Sequence, residues 1–551
     1  MFRRWSLCAF IAIGCAAPGT GGGGGAGGGI AGTGGTTGGA AGATGASGSN
    51  GGGGAAAGRG GGGGAGGLGG GGIGGSLGVA GSGGSGSGGI DGGGGVSGAG
   101  GWAGGGGASA GGSSGGSTAG AGGSGGTGGS GGTNAPIAWD WVGVIGTGQS
   151  LSVGGHGSVA AQPFGNTTQP FHNLKLSLGG AIVPPFDATN PSLSMVALVE
   201  PIRAVASGYP SAYPANIYGQ SYHTAMANQI TSLVTAALGR DAVTAHTEVG
   251  EAGQPFSVIS KGATDTGTTG RAYAASLFEA AAIARLAKKV GKTYGVGAIV
   301  LTHGEADAGS AAFENDVVSM WTDYNQDLRA ATGQTASIPL IQSQQHSQPT
   351  TAGSTSPATL AQWQSGVDHP GDIICSGPKY QYPYISDATH LTNPGYQQLG
   401  EKYAEVFVQR VVLGNVWQPL QPTSVERSGR VITVHFHVPN PPLAWDTTLP
   451  APHGSAFKEW AQGRGFEVSS GGTRITIASV ALSGSDAVQI TCAADLPAAG
   501  TTVAYALTAD GTTRPNGTVR WGLLRDSDST VGSSSGARLP NYCVAFEMSV
   551  P

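Results

Sequence analysis

From residue 139 onward, apolar positions fall into runs whose spacing switches between that of strands and that of helices. Residues 139–145 (WDWVGVI) read as a buried strand that continues straight into Gly146-Thr147-Gly148-Gln149-Ser150. Apolar residues recur at helical spacing over 222–238, a strand pattern follows at 242–249, and 271–290 is an Ala-rich helix with Lys288 and Lys289 near its end. After Gly291 and Gly295 come a β-rich apolar run at 296–301, a helix at 313–331, and short strands at 338–341 and 373–374. A last helix covers 394–412, with Asn393 as its N-cap and Pro394 at its first position. Strands alternating with helices predict an α/β fold, a parallel sheet covered by helices on both faces. Function is then expected at the carboxyl ends of the strands.

Beyond Trp417 the texture changes. Short alternating runs at 431–438 (VITVHFHV), 473–480, 487–491, 502–507 and 544–548 are separated by Gly, Pro, Asn and Asp, and only 457–461 has a helical look. This predicts a small antiparallel β domain, a sandwich. Trp445, Trp460 and Trp521 offer rings that stack on sugars or fill a core, and the core is the commoner use.

Composition removes the first quarter of the chain from this picture. Of 551 residues 110 are Gly, and between Thr20 and Thr133 the sequence is nearly all Gly, Ala, Ser and Thr, without the Gly-X-Y proline period of collagen. Such a segment cannot bury enough apolar surface to offset its chain entropy, so it reads as a flexible spacer. Ahead of it stand Met1-Phe2-Arg3-Arg4, an apolar run over 5–13 and Gly14-Cys15-Ala16, the pattern of an export signal too short to span a membrane. Ala12-Ile13-Gly14-Cys15 resembles a bacterial lipobox, which implies a lipid anchor at Cys15 and a surface location at the cell envelope; ordinary secretion with cleavage near Ala17 is the other reading. The expected organisation is an export segment at 1–19, a Gly-rich linker at 20–134, a catalytic α/β domain at 135–414 and a β-sandwich domain at 415–551. A net charge of -5 and the lack of any long Lys/Arg run argue against nucleic acid as a partner. Outside the signal, Cys375, Cys492 and Cys543 remain. An odd number permits one disulfide, with Cys492 and Cys543 the candidate pair, and their spacing does not resemble a zinc site.

A hydroxyl becomes a useful nucleophile when a base accepts its proton, a carboxylate orients the base, and donors await the developing oxyanion. Ser150 follows a buried strand on a turn of small residues, which presents a hydroxyl above the sheet. Ser221 repeats the tripeptide Gly-Gln-Ser but precedes a helix without a strand before it, where an N-cap is its simpler role. Asp387 stands three residues ahead of His390, just before the cap of the last helix, a spacing that lets the carboxylate hold the ring while its other nitrogen stays available. His156, His172, His223, His246 and His346 show no metal-ligand spacing; His223 and His346 are placed to line a cleft, although core or surface positions suit each of these histidines as well.

Three segments in order, GQSLSVG around Ser150, HGEAD at 303–307 and DATHLTNPGY at 387–396, resemble the first, third and fifth blocks of the SGNH (GDSL-like) hydrolases. The nearest branch is the sialate O-acetylesterase and acetylxylan-esterase-like proteins, whose blocks read roughly GQSN, QGESD and DxxH. The resemblance spans about 139–412. It implies a three-layer flavodoxin-like fold, a Ser150–His390–Asp387 triad working without metal or cofactor, and ester substrates, often acetyl groups on sugars. It also implies an oxyanion hole from the N–H of Ser150, a glycine N–H and a side-chain amide. The glycine is Gly253, with Gly250 as the alternative, and the amide position holds His303 instead of the family's Gln or Asn. A neutral imidazole still has one N–H to donate, and one oxyanion donor is worth roughly a hundred- to a thousandfold in rate. Glu305, with Asp307 behind it, aligns with the acidic pair of QGESD and is expected, with Gln149, to support the site from behind by fixing the loop or bonding His303. The expected partner is an acetylated polysaccharide or a small ester. A non-catalytic carbohydrate-binding surface protein or adhesin on an esterase fold is the reading that His303 and the appended β domain favour.

Overall fold

The computed structural model describes residues 139–155, 164–179, 186–203, 205–206, 216–217, 219–263, 271–454 and 456–551. The expected export segment with Cys15, the Gly-rich run and His156 lie outside the described residues. Both the α/β part and the β-rich part fall within one compact unit, Ala121–Pro551.

The α/β part is built on β1 (Trp141–Gly148), β2 (Leu174–Ser177), β3 (Ser194–Ala197), β4 (Val243–Glu248), β5 (Tyr294–Thr302), β6 (Leu340–Gln344) and β7 (Ile373–Pro378), hydrogen-bonded in the order β3-β2-β4-β1-β5-β6-β7. All pairs are parallel except β2 with β3, so the sheet is mixed where a purely parallel one was expected. The exception has a simple cause. β3 pairs back on β2 at the edge of the sheet, and these two four-residue, partly exposed strands carry no long apolar run for a sequence reading to catch.

Period-two alternation sends successive side chains to opposite faces. Val142, Val144, Ala298, Val300, Ile341 and Ile374 pack under α1 (His223–Leu238) and the last helix of this part, Asn393–Phe407. Ile145, Ile299, Leu301, Leu340 and Ile373 face α2 (Arg271–Lys289), α3 (Phe313–Thr332) and α4 (Pro357–Asp368). With Asn393–Phe407 as α5, the arrangement is three layers with β1 at the centre of its parallel strands. The cap of α5 is Thr392, not Asn393: its hydroxyl accepts the N–H of Gly395, and Asn393 is already the first helical residue. Beyond Phe407 the helix widens into one π turn, Val408–Val412.

The C-terminal part holds two four-stranded antiparallel sheets. One is ordered β8-β9-β13-β12, from β8 (Gln421–Ser428), β9 (Val431–His437), β12 (Ile477–Ser483) and β13 (Ala487–Cys492). The other is β11-β10-β14-β15, from β10 (Phe466–Ser470), β11 (Thr473–Arg474), β14 (Thr501–Tyr505) and β15 (Phe546–Ser549). Their apolar residues meet in one core, with Phe436 of the first sheet edge-on to Phe466 of the second at 6.4 Å. Trp460 and Trp521 belong to that core and donate their indole N–H groups to Val468 and Pro450 carbonyls, which removes them as sugar platforms. Trp445 is half-buried under the Arg464 guanidinium. Cys492 and Cys543 are separate buried thiols rather than a disulfide, and Cys375 is unbridged as well. Each fills its place as a small apolar side chain.

Candidate active site

β1 ends at Gly148 and turns at once into a single 3₁₀ turn, Ser150–Val153. Gly148 has φ 133°, and a Cβ there would lie 2.2 Å from the Thr302 carbonyl oxygen at the end of β5, so only glycine permits this approach. The turn is fastened from several sides. Gln149 N–H donates to Thr302 O at 3.2 Å, the Ser152 hydroxyl donates to Gln149 O at 2.6 Å, and Gly155 N–H donates to Ser150 O at 2.6 Å. Ser150 thus sits at the carboxyl end of the strand from which the sheet grows in both directions, the place where α/β sheets open a crevice.

The loop between β7 and α5 approaches from the other side. Tyr384 bridges Leu391, Ile385 N–H donates to His390 O at 2.9 Å, and Ala388 takes a left-handed φ of 58°. In this tight bend Asp387 Oδ1 accepts the N–H groups of Thr389 and His390, both at 2.9 Å. Its Oδ2 lies 2.6 Å from His390 Nδ1. His390 Nε2 lies 2.7 Å from Ser150 Oγ, although the two residues are 240 positions apart. Burial acts to raise the Asp387 carboxyl, but the hydrogen bonds from the His390 ring and from the two backbone N–H groups outweigh it and hold the group below its ordinary range. An ionised Asp387 fixes the proton on Nδ1 and leaves the Nε2 lone pair facing the serine. Such a series can withdraw the hydroxyl proton as the oxygen attacks.

Two further ties hold the serine turn against the histidine loop. The Tyr396 hydroxyl, on α5, donates to Gly155 O at 2.7 Å. Glu305 receives Gln149 Nε2 on one oxygen and Lys379 Nζ on the other, both at 2.8 Å, while Gln149 Oε1 accepts Ala306 N–H at 3.2 Å. Glu305 therefore braces the residue next to Ser150 and does not bond His303. Lys379, fully buried at the end of β7, escaped the sequence reading. Its one signal was a lone cation directly after an apolar strand, in IICSGPK.

His303 is enclosed. It has no exposed surface, stands edge-on to Phe256 at 4.5 Å, and directs Nε2 to Asp307 Oδ2 at 2.8 Å. Asp307 also accepts Phe256 N–H, and these bonds hold its carboxyl below the ordinary range against a burial effect that would raise it. Asp307 is then an acceptor, so the single N–H of a neutral His303 is committed to it. The other nitrogen, Nδ1, is buried without a hydrogen-bond partner among the described residues, and it could donate only from the charged ring. The simple neutral-donor role expected from the sequence does not match this arrangement.

Gly250 and Gly253 occupy the loop after β4, whose Glu251 N–H donates to Gly148 O at 3.0 Å. A Cβ on Gly250 would stand 3.0 Å from Gly148 O and 2.1 Å from Ser152 Oγ, so Gly250 is locked beside the serine turn. Gly253 follows on the exposed part of the loop with φ 66°.

Ser221 is buried and donates to Glu200 Oε1 at 2.6 Å, so it belongs to a different cluster. Its hydroxyl also accepts His223 N–H at 3.3 Å, close to the capping role expected of it, although the cap position itself is Tyr222. His223 and His246 are buried against each other, Nδ1 to Nδ1 at 3.1 Å; burial and the mutual proximity hold His223 well below the usual imidazole range, and burial alone brings His246 to about 3. His346 is buried too, and His172 is an exposed partner of Asp241. Among the described residues no group of three His, Cys, Asp or Glu gathers in a metal-binding arrangement.

Burial pushes the Glu200 carboxyl up to about 7, against the hydrogen bonds from Ser221 and Thr224. A raised folded-state value means stability that is complete below the unfolded value, about 4.3, and is lost as pH rises through about 7. Glu200→Gln should therefore gain on the wild type in melting temperature between pH 5 and pH 8. Parallel melting curves at the two pH values would count against a buried, protonated Glu200.

The fold and site define an α/β protein with a serine, histidine and aspartate in hydrogen-bonded series at the carboxyl end of its sheet. No protein-family model and no curated protein matches the chain. Among solved structures it is similar to a carbohydrate acetylesterase from Xanthomonas citri, at 13% identity and TM-score 0.46 over 74% of this chain and 80% of that one. It is also similar to a protein from Arabidopsis thaliana, at 16% identity and TM-score 0.34 over 50% of this chain and 99% of that one. A third is NanS, at 12% identity and TM-score 0.30 over 50% of this chain and 98% of that one.

Proposed function

We propose that the protein is a serine carboxylic-ester hydrolase that removes acetyl groups from an acetylated polysaccharide or sugar. The observation that carries this reading is the pair of contacts linking Ser150 Oγ to His390 Nε2 at 2.7 Å and His390 Nδ1 to Asp387 Oδ2 at 2.6 Å. Ser150 attacks the acyl carbonyl while its proton passes to His390 Nε2. The oxyanion is met by the Ser150 N–H and by a glycine N–H from the loop after β4, Gly253 or Gly250. The alcohol leaves with the proton from His390, and a water activated by the same nitrogen releases acetate and frees the serine. The acetylated-carbohydrate class rests on the motif resemblance.

Acetate release from native acetylated polysaccharides, beside p-nitrophenyl acetate, tests the reaction and the substrate class together. The rate should rise with pH along a single limb, as a mechanism with one general base requires. The commitment of His303 to Asp307 favours a second reading, a carbohydrate-binding protein on an esterase fold. Folded wild type that releases nothing from a broad ester panel, yet binds an acetylated polymer, would decide for that reading.

A further inference from the structure

The loop that carries Asp387 and His390 is held from the C-terminal β part. Arg514, buried in that part, donates from Nη2 to the carbonyls of Tyr380 and Tyr382, the latter at 2.9 Å. In the same turn Asn516 O accepts Tyr384 N–H at 2.9 Å. The Tyr380 side chain enters the β core, where its hydroxyl donates to Cys543 O at 2.8 Å. Residues 380, 382 and 384 are thus each fixed through the main chain by one turn of the β part, and Tyr384 is the residue that closes the Asp387–His390 bend through its bridge to Leu391. The segment that follows grips the neighbouring loop after β6. Thr518 Oγ1 donates to His346 O at 2.5 Å, and the Arg520 guanidinium donates to Gln348 O at 3.0 Å and Pro349 O at 2.6 Å.

A buried guanidinium is unfavourable unless its N–H groups find acceptors. Arg514 Nη2 finds its acceptors in the carbonyls of the histidine loop, and Nη1 lies against the carbonyls of its own turn, Pro515 and Asn516. Burial of the cation and the path of that loop are therefore conditions of each other. We infer that Arg514 is a positioning residue, through which the C-terminal β part sets His390 against Ser150 and becomes an integral half of the active site rather than an appended binding module. The inference rests on the proposed esterase reading for its kinetic consequence only.

The test compares the full chain with Arg514→Met and Arg514→Lys by two readouts. The first is kcat and KM on p-nitrophenyl acetate, at a temperature where circular dichroism shows each variant folded. A misplacement of about 1 Å can cost on the order of a hundredfold in rate. Arg514→Met should lose about that in kcat with KM changed less than about twofold, and Arg514→Lys should fall between. The second readout needs no turnover: the low-field proton resonance of His390 Nδ1–H, present in the wild type and lost or shifted in Arg514→Met. A folded Arg514→Met with unchanged kcat and an unchanged resonance overturns the inference. A wild type inactive on esters whose resonance still depends on Arg514 overturns the esterase reading and leaves the positioning role standing. Should Arg514→Met not fold, Arg514→Lys decides by the same two readouts, with wild-type values overturning the proposal.

Discussion

Ser150→Ala should lower kcat on a simple aryl acetate by about four to six orders of magnitude with KM little changed, the scale on which members of such a triad act as a unit. The Ser150 hydroxyl meets His390 at 2.7 Å, and the turn around it is held by main-chain bonds that alanine keeps. The variant should therefore fold normally and still bind substrate. Ser221→Ala is the matched control. Its hydroxyl is turned to Glu200 at 2.6 Å, so the variant should keep wild-type turnover. Steady-state rates and covalent labelling by a fluorophosphonate answer together: equal labelling of wild type and Ser150→Ala would remove Ser150 from the chemistry.

Lys379→Met should be the most damaging single change away from the reacting atoms. Lys379 and Glu305 form a buried pair at 2.8 Å, and removing one partner of such a pair typically costs about 3–5 kcal/mol because the other charge is left uncompensated. The loss should spread to activity, since Glu305 also holds Gln149, the residue before the serine. Adding Glu305→Gln to Lys379→Met should restore much of the stability, because the stranded charge is gone and the amide can still face Gln149. Urea unfolding measures both. A single variant within about 1 kcal/mol of wild type would mean that water enters and solvates Glu305.

The main strands and helices were legible because their signal is local. Residues 222–238, 296–301 and 313–331 carry periodicities that a single element decides, and the structure places elements at 223–238, 294–302 and 313–332. The β2–β3 hairpin and α4 were missed. The hairpin's strands are four residues each and partly exposed, too short to show a period, and α4 (PATLAQWQSGVD) carries a weak apolar stripe, although Ser356 caps it and accepts Thr359 N–H. At the site, the serine and the Asp387–His390 spacing were visible because motif chemistry is written in adjacent letters. The braces were not. Lys379, Tyr396 and Arg514 work across separations of 74, 241 and up to 134 residues, and nothing local marks a lysine as the partner of one glutamate rather than solvent. His303 was legible as a position but not as a role, since its partner Asp307 and its aromatic enclosure fix which nitrogen is spoken for.

The three sequestered sulfurs give the molecule a built-in reporter. Burial pushes the Cys375 thiol up to about 12 and those of Cys492 and Cys543 above their ordinary value, and only a thiolate attacks an alkylating reagent. At these three positions the native chain should thus be nearly blind to maleimides, so each adduct that accumulates there over time records a molecule that has opened.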